Sequence, residues 1–213
     1  MADLLLPKKV KEPVATYPYF PAKHQLYIWR NWSMVTTQRI AQVLHTSVDT
    51  VEQAAEEMGL PVPNPYNATY ETRGYITIIR NNWHVLPYEQ IMETLGWSYE
   101  RFAYTLKEDD FLNVKLEDKP DVKSVYFRPL TKDEQLQTAK IKAWVDRYIT
   151  PLEQQATAKD FDFLDKFGHP YRKNADAPMK AVTPDGTWGI RDCVGTWKSA
   201  AYLQMIRQEI KEG

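Results

Sequence analysis

Cysteine is almost absent from this 213-residue sequence, and its scarcity excludes two ways of stabilising a small domain. A lone cysteine, Cys193, cannot form a disulfide framework within the chain, and it cannot build a cysteine-based zinc cluster. Four histidines, His24, His45, His84 and His169, are scattered so that no two of them have the spacing of metal ligands. We therefore predict that the chain has no metal site.

Glycine and long apolar runs are scarce as well. The eight glycines are spread thinly, so no glycine-rich loop could cradle the phosphates of a nucleotide, and we predict no bound cofactor. No apolar run approaches the roughly 20 residues that cross a bilayer. Leu4-Leu5-Leu6 is too short for the core of a signal peptide. We expect a soluble chain with no membrane partner, and the cytoplasm is the favoured compartment.

What the sequence does contain is a pattern that occurs twice. Residues 31–55 reappear in pattern at residues 82–106, 51 positions further along. Each copy has a short apolar helix, a turn of three residues and a second helix that follows a serine, a good helix N-cap. The matched pairs are Asn31 with Asn82, Trp32 with Trp83, Ile40 with Ile91, Leu44 with Leu95, Ser47 with Ser98 and Val51 with Phe102. Two copies in register predict two tandem helix-turn-helix-like units.

The apolar positions of the two copies predict where the core lies. Trp32 and Trp83 are expected in equivalent buried places, and Ala41 is small enough for two helices to approach closely. The expected inner faces comprise Ile40, Leu44, Val51, Ile91, Leu95 and Phe102. Leu95→Ala is expected to cost roughly 2–5 kcal/mol of stability, as for a buried leucine.

Short strands are predicted around the second copy. Residues 75–79 are rich in β-branched side chains, which predicts a buried strand. Residues 111–116 and 122–127 are predicted to form a hairpin directly after the second copy, where winged-helix domains have their wing. Residues 26–29 fit either a short strand or a helical turn. The predicted fold class is therefore mainly α (α+β), with short strands, a wing-like hairpin and further helices after it.

A further helix is predicted after the hairpin. Thr131 and Glu134 have the spacing of a capping box, and the helix that they open runs to about Ile149, where Pro151 follows. Its apolar stripe comprises Leu136, Ile141, Trp144, Val145 and Tyr148. A last helix is predicted over about residues 196–211.

These elements divide the sequence into three regions. Residues 1–30 are predicted to be an extended arm, because their prolines forbid a regular helix. Residues 31–130 hold the tandem helix-turn-helix-like units and the hairpin. Residues 131–213 are a helical region with an irregular loop at 169–195.

Charge argues against the function that a helix-turn-helix most often has. Residues 48–60, the second helix of the first copy, contain four acidic residues and no basic one, and residues 99–112 contain four acidic and two basic ones. Phosphates repel such helices, so nucleic acid is an unlikely partner. The alternative of a winged helix-turn-helix transcriptional regulator predicts DNA contacts from Ser47, Thr50, Gln53, Ser98, Arg101 and Lys107.

The sequence offers no catalytic constellation. The carboxylate pairs Glu56-Glu57 and Asp109-Asp110 are consecutive, so on a helix they point apart and could not serve one substrate. Cys193 has acidic and basic neighbours but no nearby histidine that could activate it as a nucleophile. We predict no catalytic residue and no enzymatic activity.

Three segments carry a resemblance to a known group of proteins. The segments are YIWRNWSMVTTQRIAQVLHTS, RGYITIIRNNWHVLPYEQIMETLGWS and YTLKEDDFLNVKL. They resemble the N-terminal region of large, mostly uncharacterised bacterial proteins that carry glycoside-hydrolase-like domains further along. The resemblance covers about residues 27–164 and implies an accessory module of a carbohydrate-related protein. It implies no catalytic residue, and the sequence departs from the pattern after Gly168.

The favoured function is therefore a non-catalytic scaffold or interaction module. Its partner would be another protein or further domains of its own chain. The large aromatic residues of the late segments are the candidate interaction surface, namely Trp144, Phe161, Phe163, Trp188 and Trp197. Such rings either close the chain's own core or leave an apolar patch of several hundred square ångström for a partner.

Overall fold

The computed structural model describes residues 6–11, 15–109 and 112–155. All of them belong to one compact region, Met1–Leu164. Several predictions of the sequence lie outside the described residues: the irregular loop at 169–195, the last helix at 196–211, Cys193 and His169.

Helices dominate the described part, as the predicted mainly α class requires. The helices are α1 (Lys23–Asn31), α2 (Thr37–Leu44), α3 (Val48–Glu57), α4 (Thr69–Thr72), α5 (Tyr75–Asn82), α6 (Tyr88–Leu95), α7 (Tyr99–Glu108), α8 (Leu112–Lys115), α9 (Lys132–Tyr148) and α10 (Thr150–Gln155). Two short strands, β1 (Lys9–Val10) and β2 (Lys119–Pro120), pair in parallel. The arm is shorter than predicted, since α1 begins at Lys23, just after the last proline of the arm, Pro21.

Two sets of three helices match at the offset of 51 residues. We call α1–α3 the first unit and α5–α7 the second unit. Helices α2 and α6, and helices α3 and α7, begin and end at positions 51 residues apart. Ser47 and Ser98 are the N-caps of α3 and α7, and their side chains accept backbone N–H bonds of 3.1 and 3.3 Å. His45 and Gly96 end α2 and α6 in the left-handed conformation, which glycine adopts without strain.

The two units meet at a pair of equivalent asparagines. Nδ2 of Asn31 donates to Oδ1 of Asn82 at 3.0 Å, and Nδ2 of Asn82 donates to Oδ1 of Asn31 at 2.7 Å. Each amide also donates to the carbonyl four residues earlier, that of Tyr27 or that of Ile78. Both side chains are fully buried, so these bonds satisfy polar groups that could not reach water. The pair fixes α1 against α5 in one register.

The core lies between the units and follows the predicted apolar positions. Trp32 and Trp83 are 6% and 1% exposed, although only the Trp32 indole donates a described hydrogen bond, to the carbonyl of Pro61 at 2.9 Å. Ile40, Leu44, Val51, Ile91 and Phe102 are fully buried. Leu95 is half-buried: it packs against the core, but its end of α6 borders an open cavity.

Residues 75–79 form the start of α5, and the predicted buried strand is wrong. Ile78, Ile79 and Asn82 face the core at helical spacing, whereas Thr77 and Arg80 are exposed. Burial of this face against α1 and α6 outweighs the preference of β-branched residues for strands.

The predicted hairpin is also wrong. Residues 112–115 are helical, and β2 pairs with β1 of the arm instead of with the residues that follow it. Residues 121–131, which we call the extended segment, form no helix and no strand. Their backbone is bound by a side chain, since Val125 donates to Oε1 of Gln90 and accepts from Nε2 of Gln90, both at 2.8 Å. The described residues therefore include no wing.

Candidate interaction surface

Helix α9 begins where the sequence predicts, at a capping box. Thr131 Oγ1 accepts the N–H of Glu134 at 3.3 Å, and a Glu134 oxygen accepts the N–H of Thr131 at 2.9 Å. Arg128 donates to both oxygens of the Glu134 carboxylate, and this contact lowers the pKa of Glu134 to about 2. The box and the Arg128 pair set the direction in which α9 leaves the extended segment.

Only a narrow side of α9 is buried. Val145 packs against Gly59 at the end of α3, so closely that a Cβ at Gly59 would lie 3.1 Å from the Cβ of Val145. Thr138 accepts a hydrogen bond of 2.9 Å from Gln25 of α1. The rest of the predicted apolar stripe is open, and its exposed fractions are 64% for Leu136, 53% for Trp144 and 47% for Tyr148. The stripe is therefore largely a surface feature and not a core face.

The open stripe borders an apolar cavity of about 680 Å³, which we call the aromatic groove. It is lined by Tyr19, Phe20, Trp29, Gln137, Lys140, Ile141, Trp144 and Ile149. Phe20 and Trp29 meet edge to face with ring centroids 5.5 Å apart, and Trp144 contacts Tyr148 at 5.6 Å. The groove is thus walled by the arm, by α1 and by α9.

Among the described residues, one charged side chain lines the groove, that of Lys140 on α9. Lys142 and Arg147 lie on the same helix but do not line the groove: Lys142 lies 3.9 Å from Asp146, and the Arg147 guanidinium lies over the Tyr148 ring at 5.1 Å. A partner that fits the groove therefore meets the ammonium of Lys140.

The structure tests only part of the predicted interaction surface. Trp144 is exposed and lines the aromatic groove. Phe161, Phe163, Trp188 and Trp197 lie outside the described residues. Sequence reasoning missed the contributions of Tyr19, Phe20 and Trp29 to this surface. The density of aromatic residues among the arm prolines is the signal that could have indicated them.

The DNA-contact candidates lie on or beside α3 and α7, where most of them already have intramolecular contacts. Ser47 and Thr50 bond each other across the N-cap of α3, and Ser98 caps α7. Gln53 donates to Glu57 at 3.0 Å. Arg101 stacks over the Trp97 ring, and Lys107 lies 3.4 Å from Glu108. These residues are not brought together into a basic patch.

Acidic side chains accompany the candidates on α3. Asp49, Glu56 and Glu57 are exposed on that helix, which carries no basic residue. Their charge would face the phosphates of a duplex.

The described ranges contain no group of three or more His, Cys, Asp or Glu side chains that could hold a metal ion. Burial and the neighbouring Arg128 lower the pKa of His24 to about 4, so its ring is neutral near pH 7. Its ring packs against Phe127 with centroids 4.9 Å apart, which indicates a structural role.

Among the helices that the structure describes, none is both long and apolar enough to traverse a lipid bilayer. Comparison of the chain with protein-family models, with curated proteins and with solved structures finds no match. The resemblance to the bacterial N-terminal regions therefore stays a prediction.

Proposed function

We propose that this chain is a non-catalytic interaction module whose aromatic groove binds an apolar, acid-flanked segment of a partner protein. The single observation that carries the proposal is the exposure of Trp144 beside the open aromatic groove. Exposed tryptophan and tyrosine on a rigid helix are the residues that most often dominate the binding energy of protein interfaces.

The dimensions of the groove suit a short helical segment. A volume of about 680 Å³ accommodates two or three large apolar side chains. An amphipathic helix presents such side chains at positions i, i+4 and i+7, the spacing used when a helix docks into a hydrophobic groove. Helix α9 offers a continuous wall for this contact, because the capping box and Val145 hold it in place.

Charge indicates which apolar segment would bind. Lys140 is the charged side chain among the described residues that line the groove, and its charge is positive. Opposite charge on the partner speeds association, and like charge disfavours the wrong partner. Acidic residues beside the apolar anchors are therefore part of the proposed ligand.

Duplex DNA is the weaker alternative for this chain. The exposed acids of α3 oppose phosphate binding, and the aromatic groove has no role in that function. An accessory role beside carbohydrate-active domains is compatible with the groove proposal, and it rests on the sequence resemblance alone.

The test uses a designed helical peptide with leucine anchors at i, i+4 and i+7 and glutamate flanks. Fluorescence anisotropy with the full chain should show saturable binding, and a peptide with lysine flanks should bind more weakly. Trp144→Ala should weaken binding about tenfold or more, as loss of a central aromatic anchor does. Tyr104→Ala is the matched control, because Tyr104 is 56% exposed on α7, away from the groove, and its loss should change nothing.

Three results would overturn the proposal. They are no saturable binding of the glutamate peptide, equal effects of Trp144→Ala and Tyr104→Ala, and micromolar, salt-sensitive retention of duplex DNA in a gel shift.

A further inference from the structure

Equivalent turns of the two units have different coverings. In the first unit, the extended segment covers the turn at Leu44 and His45. The N–H of Phe127 donates to the carbonyl of Leu44 at 3.0 Å, and Tyr126 stacks on His45 with ring centroids 4.6 Å apart. The side chain of Gln90 binds the same segment through two hydrogen bonds to the backbone of Val125. The turn of the first unit thus binds a piece of extended chain.

The corresponding turn of the second unit, Leu95–Gly96, borders an open cavity of about 350 Å³. The position equivalent to Gln90 is Arg39, 51 residues earlier, and Arg39 lines this cavity. Its guanidinium packs over Gly96, so that a Cβ there would lie 3.0 Å from Nη2 of Arg39. Among the described residues, no backbone N–H from a covering segment donates to the carbonyl of Leu95, whereas the N–H of Phe127 donates to that of Leu44.

A second guanidinium lines the same cavity. Arg101 stacks over the Trp97 ring with its central carbon 4.1 Å from the ring centroid, and Trp97 is itself braced by Tyr75 at 5.1 Å. A guanidinium that lies over an indole ring still has N–H groups available for an acceptor. The braced stack therefore presents Arg101 in a fixed orientation.

The charges of this cavity are unbalanced. Within the described ranges, neither Arg39 nor Arg101 forms a salt bridge, and the side-chain hydrogen bond of Arg39 goes to the neutral amide of Gln42 at 3.3 Å. Glu71 is the carboxylate that lines the cavity, and the hydroxyl of Tyr66 donates to it. Two arginines thus face the cavity with one carboxylate.

We propose that this cavity, which we call the arginine cavity, binds a carboxylate-bearing ligand. Gln90 offers both a donor and an acceptor, so it can hold a peptide backbone, whereas Arg39 offers donors only. A ligand at the second turn must therefore bring acceptors. A planar carboxylate matches the fork of a guanidinium and forms strong, charge-assisted bonds with it. The Trp97 stack provides an apolar wall for the carbon skeleton of the ligand.

The carboxylate has two possible sources, a free organic acid and an acidic residue in an extended peptide, and the experiment separates them. Probes are succinate, the peptide acetyl-AEVEA-amide and its neutral counterpart acetyl-AQVQA-amide. Binding to the full chain is followed by NMR through the indole N–H of Trp97. We expect saturable shifts with at least one acidic probe and none with the neutral peptide. A tighter acidic peptide identifies an extended segment as the ligand, and a tighter succinate identifies a free acid.

Matched variants link the binding to the two arginines. Arg101→Gln and Arg39→Gln should each weaken binding about tenfold, the loss expected for one charge-assisted contact. Arg80→Gln is the control, because Arg80 is exposed on α5 and does not line the cavity, so it should leave the affinity unchanged. Thermal melts of the variants that match the parent show that the fold is retained.

The proposal is overturned if neither acidic probe saturates the Trp97 signal. It is also overturned if Arg80→Gln weakens binding as much as the cavity variants do, or if the neutral peptide binds as tightly as the acidic one.

Discussion

The second and third helices of the two units begin and end at positions 51 residues apart, but the two units contact different neighbours. In the first unit, α3 packs against α9, and the extended segment closes the turn at His45. In the second unit, the arm covers α6, where the Tyr88 hydroxyl donates to the carbonyl of Pro7 at 3.1 Å, and the turn at Gly96 stays open. Matching local sequence is thus compatible with different surroundings, because the residues that cover each unit come from elsewhere in the chain.

The largest expected effect comes from comparing two equivalent leucines, Leu44 at the covered turn and Leu95 at the open turn. Leu44→Ala removes a fully buried side chain under the extended segment and should cost about 2–5 kcal/mol. Leu95→Ala removes its half-buried counterpart at the open turn and should cost about 1–2 kcal/mol, because less apolar surface is lost. Urea unfolding of both variants measures the difference. Equal losses would mean that the two turns are equally closed in solution.

A buried lysine distinguishes the second unit from the first. Lys119 of β2 is fully buried, and its ammonium donates to the carbonyls of Leu86 at 2.8 Å and Pro120 at 3.2 Å. The rings of Trp83 and Tyr88 lie 5.6 and 5.5 Å from it. Burial lowers the pKa of Lys119 to about 8, and the nearby Lys9 adds to the shift.

This shift predicts a pH dependence in the alkaline range. Because the pKa is lower in the folded than in the unfolded chain, the unfolded chain binds more protons between pH 8 and about 10.5. Stability should therefore rise with pH across that window, by at most about 3 kcal/mol. Lys119→Met should lack the rise. The free energy of unfolding is measured against pH for parent and variant, and one curve is subtracted from the other. The subtraction is needed because the buried tyrosines ionise above pH 10 in both proteins. If this difference in the free energy of unfolding does not change with pH, Lys119 is exposed to solvent.

His24 of α1 provides the matching test in the first unit. Its pKa is lowered to about 4, chiefly by burial, so the unfolded chain takes up the proton first as the pH falls. The free energy of unfolding should decline between about pH 6.5 and pH 4, again by at most about 3 kcal/mol. His24→Gln should remove this decline in acid titrations followed by circular dichroism. An unchanged acid profile in the variant would contradict the burial of His24 against Phe127.

The asparagine pair tests whether the two units are held together as one body. Asn31→Ala should cost about 1–3 kcal/mol, because it leaves the buried amide of Asn82 without its partner. Asn82→Ala should cost about the same, and the double variant should cost clearly less than the sum. A double-mutant cycle in urea gives the coupling. Additive losses would mean that the two amides do not bond each other.

The smallest expected effect concerns the two serine caps. Ser47→Ala and Ser98→Ala should each cost about 1 kcal/mol, since each hydroxyl satisfies one helix N–H. Thermal melts should show similar shifts for the two variants, and Ser33→Ala, outside these helices, serves as the control. A clear difference between the two caps would indicate that the covering segments alter local helix stability as well as exposure.

Much of the helical framework could be predicted from the sequence, but less of the candidate surface. Serine caps, apolar spacing and the capping box at Thr131 mark helix limits through contacts within a few residues of the chain. Trp144 was predicted as an interaction residue; the structure shows it exposed, and its role in binding stays a prediction. The other walls of the aromatic groove come from the arm and α1, more than 100 positions away from α9, and no local pattern signals such an encounter.

The mainly helical class and most of the core positions follow from the sequence, because they depend on short-range capping and periodicity. The starts of α3, α7 and α9 follow from it as well, whereas the predicted second helices, residues 48–60 and 99–112, extend beyond the ends of α3 and α7. Only contacts between residues distant in sequence explain why residues 75–79 are helical and why residues 121–131 form no strand. Such contacts also cover the turn at His45 and leave the turn at Gly96 open. Backbone groups and apolar faces pair with partners that are near in space, whatever their separation in sequence. Val125, in the predicted hairpin, is an example: its N–H and carbonyl bond to the side chain of Gln90 and not to a neighbouring strand.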